Sequence, residues 1–153
     1  MSRFYISLDK ITGIKTLPDL SPITSIGNYV FYYAFNGYTG LTGSVSFPNL
    51  TTIGYSGLQY AFRNCTGLTS VSFPSLTSIG DSGLFEAFRG CTGLTGSVSF
   101  PSLTSIGDSG LNFVFYRCTG ITEVHFKSSL SGNAQCTRSY MGCSKATIYF
   151  SLP

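Results

Sequence analysis

The stretch Ser-Val-Ser-Phe-Pro-Ser-Leu-Thr-Ser-Ile-Gly-Asp-Ser-Gly-Leu occupies residues 70–84 and returns unchanged at residues 97–111. Aligned on the Thr-Gly pair that closes each copy, the chain divides into units at 14–40, 41–67, 68–93 and 94–120, with periods of 27, 27, 26 and 27 residues. A degenerate unit with a C-terminal cap follows over 121–153, and a cap strand is expected over 1–13. Repetition at this period constrains the fold more than any other feature. Each unit is too small to bury its apolar face alone, so a core forms only if the units stack into one solenoid domain.

Within a unit the apolar pattern changes period. Ser70-Val71-Ser72-Phe73 alternates as a half-buried strand does, with Val71 and Phe73 inward. Pro74 ends that ladder, and Leu76 and Ile79 anchor a second, shorter extended segment closed by Gly80. Asp81 then reads as a helix N-cap, as does Asp108 one unit later. Leu84, Ala87, Phe88 and Cys91 fall at i, i+3, i+4 and i+7 of a short helix, with Gly90 and Gly93 suited to a left-handed exit. The inward letters repeat: Val45, Val71, Val98 and Val124 in the strand, and Phe35, Phe62, Phe88, Phe115 and Tyr140 beyond it. About seven buried apolar side chains per unit, at roughly 1.5–3 kcal/mol each, offset the ordering entropy only when units stack. Gly43 and Gly96 lengthen their units by one residue at the strand entrance, as a small bulge or a longer loop would.

The expected architecture is therefore an α/β repeat solenoid, a leucine-rich-repeat-like right-handed coil. Each 26–27-residue repeat contributes one strand, a short second strand and a short helix. The unit LTSVSFPSLTSIGDSGLFEAFRGCTG resembles the BspA-like, or Treponema-type, leucine-rich repeat, whose unit runs Leu-x-x-Val-x-Phe/Ile-Pro, then Ile-Gly, then Ala-Phe-x-x-Cys. The likeness covers residues 14–150, and the Ser-Gly-Leu before the Ala-Phe pair is a departure. The resemblance implies a curved scaffold for contacts, found in surface, adhesion and phage-encoded proteins. It carries no binding residues over. It points to a cell-surface, extracellular or phage-particle location, although the opening MSRFYISLDKITG lacks the apolar h-region of a signal peptide.

Composition narrows the function classes. Only 10% of residues are charged, and the net charge of +3 comes from nine scattered Lys and Arg, which form no basic stripe for nucleic acid. No apolar run is long enough for membrane insertion. Cys65, Cys91, Cys118 and Cys143 share one repeat position and Cys136 falls at another inward one, so all five are expected as small buried hydrophobes. No Cys-x-x-Cys pair begins a metal site, and no cofactor motif is present. The chain has one His; His125 with Glu123 and Lys127 reads as a solvated last coil rather than a catalytic group, so no enzyme is expected.

The outward strand positions are nearly all Ser, whereas the outer face of the expected helix varies. Tyr32, Tyr33, Tyr60, Arg63, Phe85, Arg89, Phe113 and Tyr116 gather there, a composition typical of contact surfaces. The same rings could instead cover the groove between coils. The favoured reading is a non-catalytic adhesion or binding module for a protein or glycan ligand. The alternative is a structural protein that self-associates into an oligomer, filament or virion component.

Overall fold

A computed structural model describes residues 15–153, so the strand expected over 1–13 lies outside the described residues. The chain winds as a solenoid of parallel strands with three sides. One side holds two-residue strands, β1 (Ser25–Ile26), β3 (Thr52–Ile53), β5 (Ser78–Ile79) and β7 (Ser105–Ile106), paired in that order. The second holds β2 (Gly43–Ser46) paired with β4 (Leu68–Ser72), and β6 (Thr95–Phe100), β8 (Gly120–Lys127) and β9 (Thr147–Leu152) paired in a second group. The register matches the repeat: Val45 faces Val71, Val98 faces Val124, and Val124 faces Ile148. Between β4 and β6 the ladder lapses, while the rings of Phe73 and Phe100 remain stacked at 6.0 Å.

The third side corrects the expected helix. In the unit running from Gly80 to Cys91 the N–H groups alternate in direction. Those of Gly83, Phe85, Ala87, Arg89 and Cys91 each donate to the carbonyl three residues back. Those of Ser82, Leu84, Glu86, Phe88 and Gly90 donate instead to Asp108, Gly110, Asn112, Val114 and Tyr116 of the next coil. Every fourth residue has positive φ, at Ser82, Glu86 and Gly90, so the side is a ribbon of successive turns. The reason is spacing. Neighbouring helices sit about 8–10 Å apart and paired strands about 4.7–4.9 Å. Phe62 and Phe88 on the ribbon stack at 5.2 Å, as closely as Phe47 and Phe73 on the strand side at 5.6 Å. A helix in every coil would not fit that advance.

The core is a set of columns. Phe35, Phe62, Phe88 and Phe115 stack in one, and Phe47, Phe73, Phe100, Phe126 and Phe150 in another. Val71, Phe88 and Cys91 are all buried. All five cysteines are buried and free, and four form a column of their own. The thiols of Cys65, Cys91, Cys118 and Cys143 donate to the carbonyls of Phe35, Phe62, Phe88 and Phe115 in the preceding coil, at 2.8–3.0 Å. Burial pushes the thiols of Cys65, Cys118 and Cys136 up to about 12 and that of Cys143 up to about 11, and raises Cys91 as well.

Glycines serve two separate ends. Gly43 and Gly96 sit at φ +84° and +75° beside register shifts, which makes each of them a bulge. Gly93 is not a left-handed exit. A Cβ there would lie 2.5 Å from the carbonyl oxygen of Thr66 and 2.6 Å from that of Leu68, so the closing Thr-Gly lets one coil approach the last.

Two predictions follow from this packing. Gly93→Ala should cost about 1–3 kcal/mol of stability through the steric clash, by urea denaturation, because the atoms it meets are backbone. Stability should also fall as pH rises. Below the ordinary thiol value of 9.0 the folded and unfolded chains are both protonated, but above it only the unfolded thiols ionise. The native state then binds more protons, so the midpoint of denaturation should drop from about pH 9 towards 12. A Cys91→Ala, Cys118→Ala variant should show a shallower drop.

Candidate functional site

The eight residues expected on the outer helix face lie instead on the outside of the turn ribbon, and they form one connected strip. Tyr32 and Tyr33 meet at 4.6 Å between ring centroids, Tyr33 and Tyr60 at 4.5 Å, Tyr60 and Phe85 at 5.6 Å, and Phe85 and Phe113 at 6.1 Å. Phe113 continues to Tyr116 at 5.8 Å. Arg63 lies over Tyr60, and Arg89 over Tyr116 at 5.0 Å. Between the arginines stands Glu86, whose two carboxylate oxygens accept from Nη1 of Arg89 at 3.0 Å and lie 3.8 Å from Nε of Arg63.

Three residues join the strip that the sequence reading did not include. Tyr29 packs edge-on to Tyr55 at 5.2 Å and to Tyr32 at 5.5 Å, and the guanidinium of Arg117 lies 5.4 Å from the Tyr116 ring. Their signal was a departure from the repeat. Tyr55 stands where Asn28, Asp81 and Asp108 stand in other units, Tyr29 where Ser56, Ser82 and Ser109 do, and Arg117 where Gly37 and Gly90 do. The strip grades from exposed to half-buried: Tyr29, Tyr32, Tyr33 and Tyr55 are 41–48% exposed, while Tyr60, Phe85, Phe113 and Tyr116 are partly covered. The phenol of Tyr29 is pushed up by its hydrogen bond with Tyr55 and that of Tyr33 by partial burial.

Backbone geometry marks the strip further. Tyr33, Tyr60, Glu86 and Phe113 form one column, and all four have φ between 51° and 57°. A bulky L residue in that region costs on the order of 1–2 kcal/mol, and glycine would remove the cost. Three of the four carry rings, although their side chains point away from the core.

Asp81 and Asp108 do not cap helices. Oδ1 of Asp81 accepts the N–H of Asp108 at 2.8 Å, and Oδ1 of Asn28 accepts the N–H of Tyr55 at 2.9 Å, so each side chain ties one coil to the next. Asp81→Ala should therefore cost about 1–2 kcal/mol, Asp81→Asn far less, and Asp108→Ala almost nothing, measured by urea denaturation. Equal losses at 81 and 108 would point to local capping instead.

The second cluster lies on the strand side. Nε2 of His125 is 2.8 Å from Oε2 of Glu123, and the His125 ring stacks on Tyr149 at 4.8 Å. Ser97, Ser99 and Thr147 flank the pair by register on an open sheet face, which offers no walls to exclude water from a reaction. Among the described residues no group of three or more His, Cys, Asp or Glu could hold a metal ion, and no helix is long and apolar enough to cross a membrane.

A solenoid of 26–27-residue coils, with repeated Val-x-Phe-Pro strands and a cysteine column, defines the leucine-rich repeat class. The BspA type leucine rich repeat region matches residues 24–149 in six copies, and the chain belongs to that family. The fold is similar to that of a leucine rich cell surface protein from Faecalibacterium prausnitzii, with a TM-score of 0.58 and 22% identity over 88% of this chain. This chain spans 31% of the length of that protein. It is also similar to the T. pallidum leucine rich repeat protein, with a TM-score of 0.53 and 24% identity over 90% of this chain and 69% of that one. No curated protein matches the sequence significantly.

Proposed function

We propose that the chain is a non-catalytic binding module of the adhesion kind, which grips a protein or glycan through the aromatic strip on its turn ribbon. One observation carries this reading: the Tyr33, Tyr60, Glu86 and Phe113 column holds large side chains in left-handed backbone where nothing in the core asks for them. The ribbon imposes that backbone in each coil that carries it, with serine at 56, 82 and 109, so the fold itself does not call for rings there. Tyr and Arg together are the side chains that most often dominate contact energy. The family membership and the likeness to a bacterial cell surface protein agree with such a role.

A second reading, self-association, draws on the ends of the solenoid. Among the described residues β9 is paired only with β8, which leaves its far edge open, and Ile148, Phe150 and Leu152 on it are half-buried. At the opposite end a cavity of about 510 Å³ is lined by Val30, Phe31, Phe35, Phe47 and Phe62. Open edges of this kind invite a further strand.

One set of samples separates the two. The triple variant Tyr33→Ser, Tyr60→Ser, Phe113→Ser should lose binding to an immobilised panel of matrix proteins and glycans while its melting temperature falls by only a few degrees. Serine already occupies positive φ at residues 56, 82 and 109, so the change adds no backbone strain. A collapse in stability would show that the rings are packing elements. Light scattering on the unmodified chain should give a monomer; a mass that grows with concentration would favour assembly.

A further inference from the structure

We propose that the ligand of the strip is an acidic glycan, a chain of pyranose rings bearing carboxylates. This rests on the strip being a contact face, and goes further in naming what it holds. Three features of the geometry select the class.

The first is pitch. Among the rings of the strip, Tyr33, Tyr60, Phe85 and Phe113 come from successive coils, with centroids 4.5, 5.6 and 6.1 Å apart. Tyr33 and Tyr60 are tilted by 35°, while Tyr60 and Phe85 and then Phe85 and Phe113 stand at 89° and 90°, so a pyranose chain laid along the solenoid axis meets ring faces and ring edges in turn. An extended peptide presents same-face side chains about 6.6–6.8 Å apart and drifts out of step.

The second is the backbone. A peptide that binds in extended form usually gains affinity from main-chain hydrogen bonds to an unpaired edge. Across residues 29–37, 56–64 and 82–90 the ribbon has none to give, because its N–H groups alternate between nearby carbonyls of the same coil and the next coil. What it does offer is aromatic surface and side-chain donors, the means by which sugars are held.

The third is charge. The strip carries one carboxylate, Glu86, and three guanidiniums: Glu86 pairs with those of Arg63 and Arg89, and that of Arg117 lies against the Tyr116 ring. Nε of Arg63 is buried without a hydrogen-bond partner, and Arg89 reaches Glu86 through Nη1 alone. The guanidinium of Arg117 lies over the Tyr116 ring. Glu86 thus aligns two of the arginines without neutralising the group, and the planar fork of each matches a carboxylate. Tyrosines at one end and, at the other, guanidiniums that outnumber the one carboxylate among them suit a polyhydroxylated, anionic chain.

The test uses the full chain against an array of uronate- and sialate-bearing oligosaccharides, their carboxyl-reduced counterparts, and poly-L-glutamate. The acidic oligosaccharides should bind, and carboxyl reduction should weaken binding roughly tenfold or more. The double variant Arg89→Gln, Arg117→Gln should lose the same factor on the acids and nothing on the reduced forms. Added salt should weaken the acids alone. Equal binding of acidic and reduced glycans, binding of poly-L-glutamate only, or no binding to any glycan would overturn the assignment. If the ring-to-serine variant abolishes such unexpected binding, the contact face stands and only the ligand class is wrong. Binding that the ring substitutions leave untouched would sink both.

Discussion

The structure depends on backbone hydrogen bonds that leave one coil and end on the next. On the two strand sides these are parallel ladders, and on the third they come from every second N–H of the turn ribbon. They hold all three sides to the same advance per coil. Side chains one repeat apart must then stack, and stacked phenylalanines, carbonyl-bonded thiols and coil-closing glycines are the side-chain consequences. Glycine at 93, like that at 67 and 120, is required because the carbonyl of the previous coil occupies the place of a Cβ. A cysteine serves in the ladder because it is small enough to stay inside and still carries a donor for a carbonyl.

Much of this was legible in the sequence, because stacking writes the same letter at the same phase. The valine and phenylalanine columns, the buried cysteines and both bulges at Gly43 and Gly96 lie where the repeat puts them. The ribbon was read as a helix for a physical reason. Leu84, Ala87, Phe88 and Cys91 face inward in either form, since a four-residue turn period and a 3.6-residue helix period diverge little over eight residues. What separates them is where the N–H groups go, and apolar letters carry no record of that. Asp81 was misread for the same cause: its acceptor serves a donor 27 residues away rather than its own first turn.

The aromatic strip proposed as the contact face was legible where it broke the repeat. Uniform serines on the strand face and varied rings on the ribbon distinguish a scaffold side from a side free to diversify, and the eight residues singled out do touch one another in a chain. Tyr29, Tyr55 and Arg117 escaped because each replaces a small or polar residue at a position taken to be structural. Their inclusion changes the character of the surface. The row becomes a tyrosine end and an arginine end joined by half-buried rings, and the carboxylate between the arginines supplies order rather than neutrality. A low overall charge sharpens this arrangement, since few other ions lie nearby to compete with three guanidiniums on one face.

The last coil shows why the ribbon exists at all. Residues 134–139 form a true helix, α1 (Ala134–Ser139), with Asn133 capping it by accepting the N–H of Gln135 at 2.9 Å. Coil four still donates into this coil, from Phe113 to Arg138 and from Phe115 to Ser139. Among the described residues no further coil receives the N–H groups of residues 134–139 in turn. A ribbon there would leave every second donor unmet, whereas a helix satisfies its donors within itself. Among the described residues, the helix read into every unit is found only in the coil whose N–H groups no further coil receives. The ribbon goes with a neighbouring coil that accepts every second N–H, and the helix with a unit that has its own cap at Asn133.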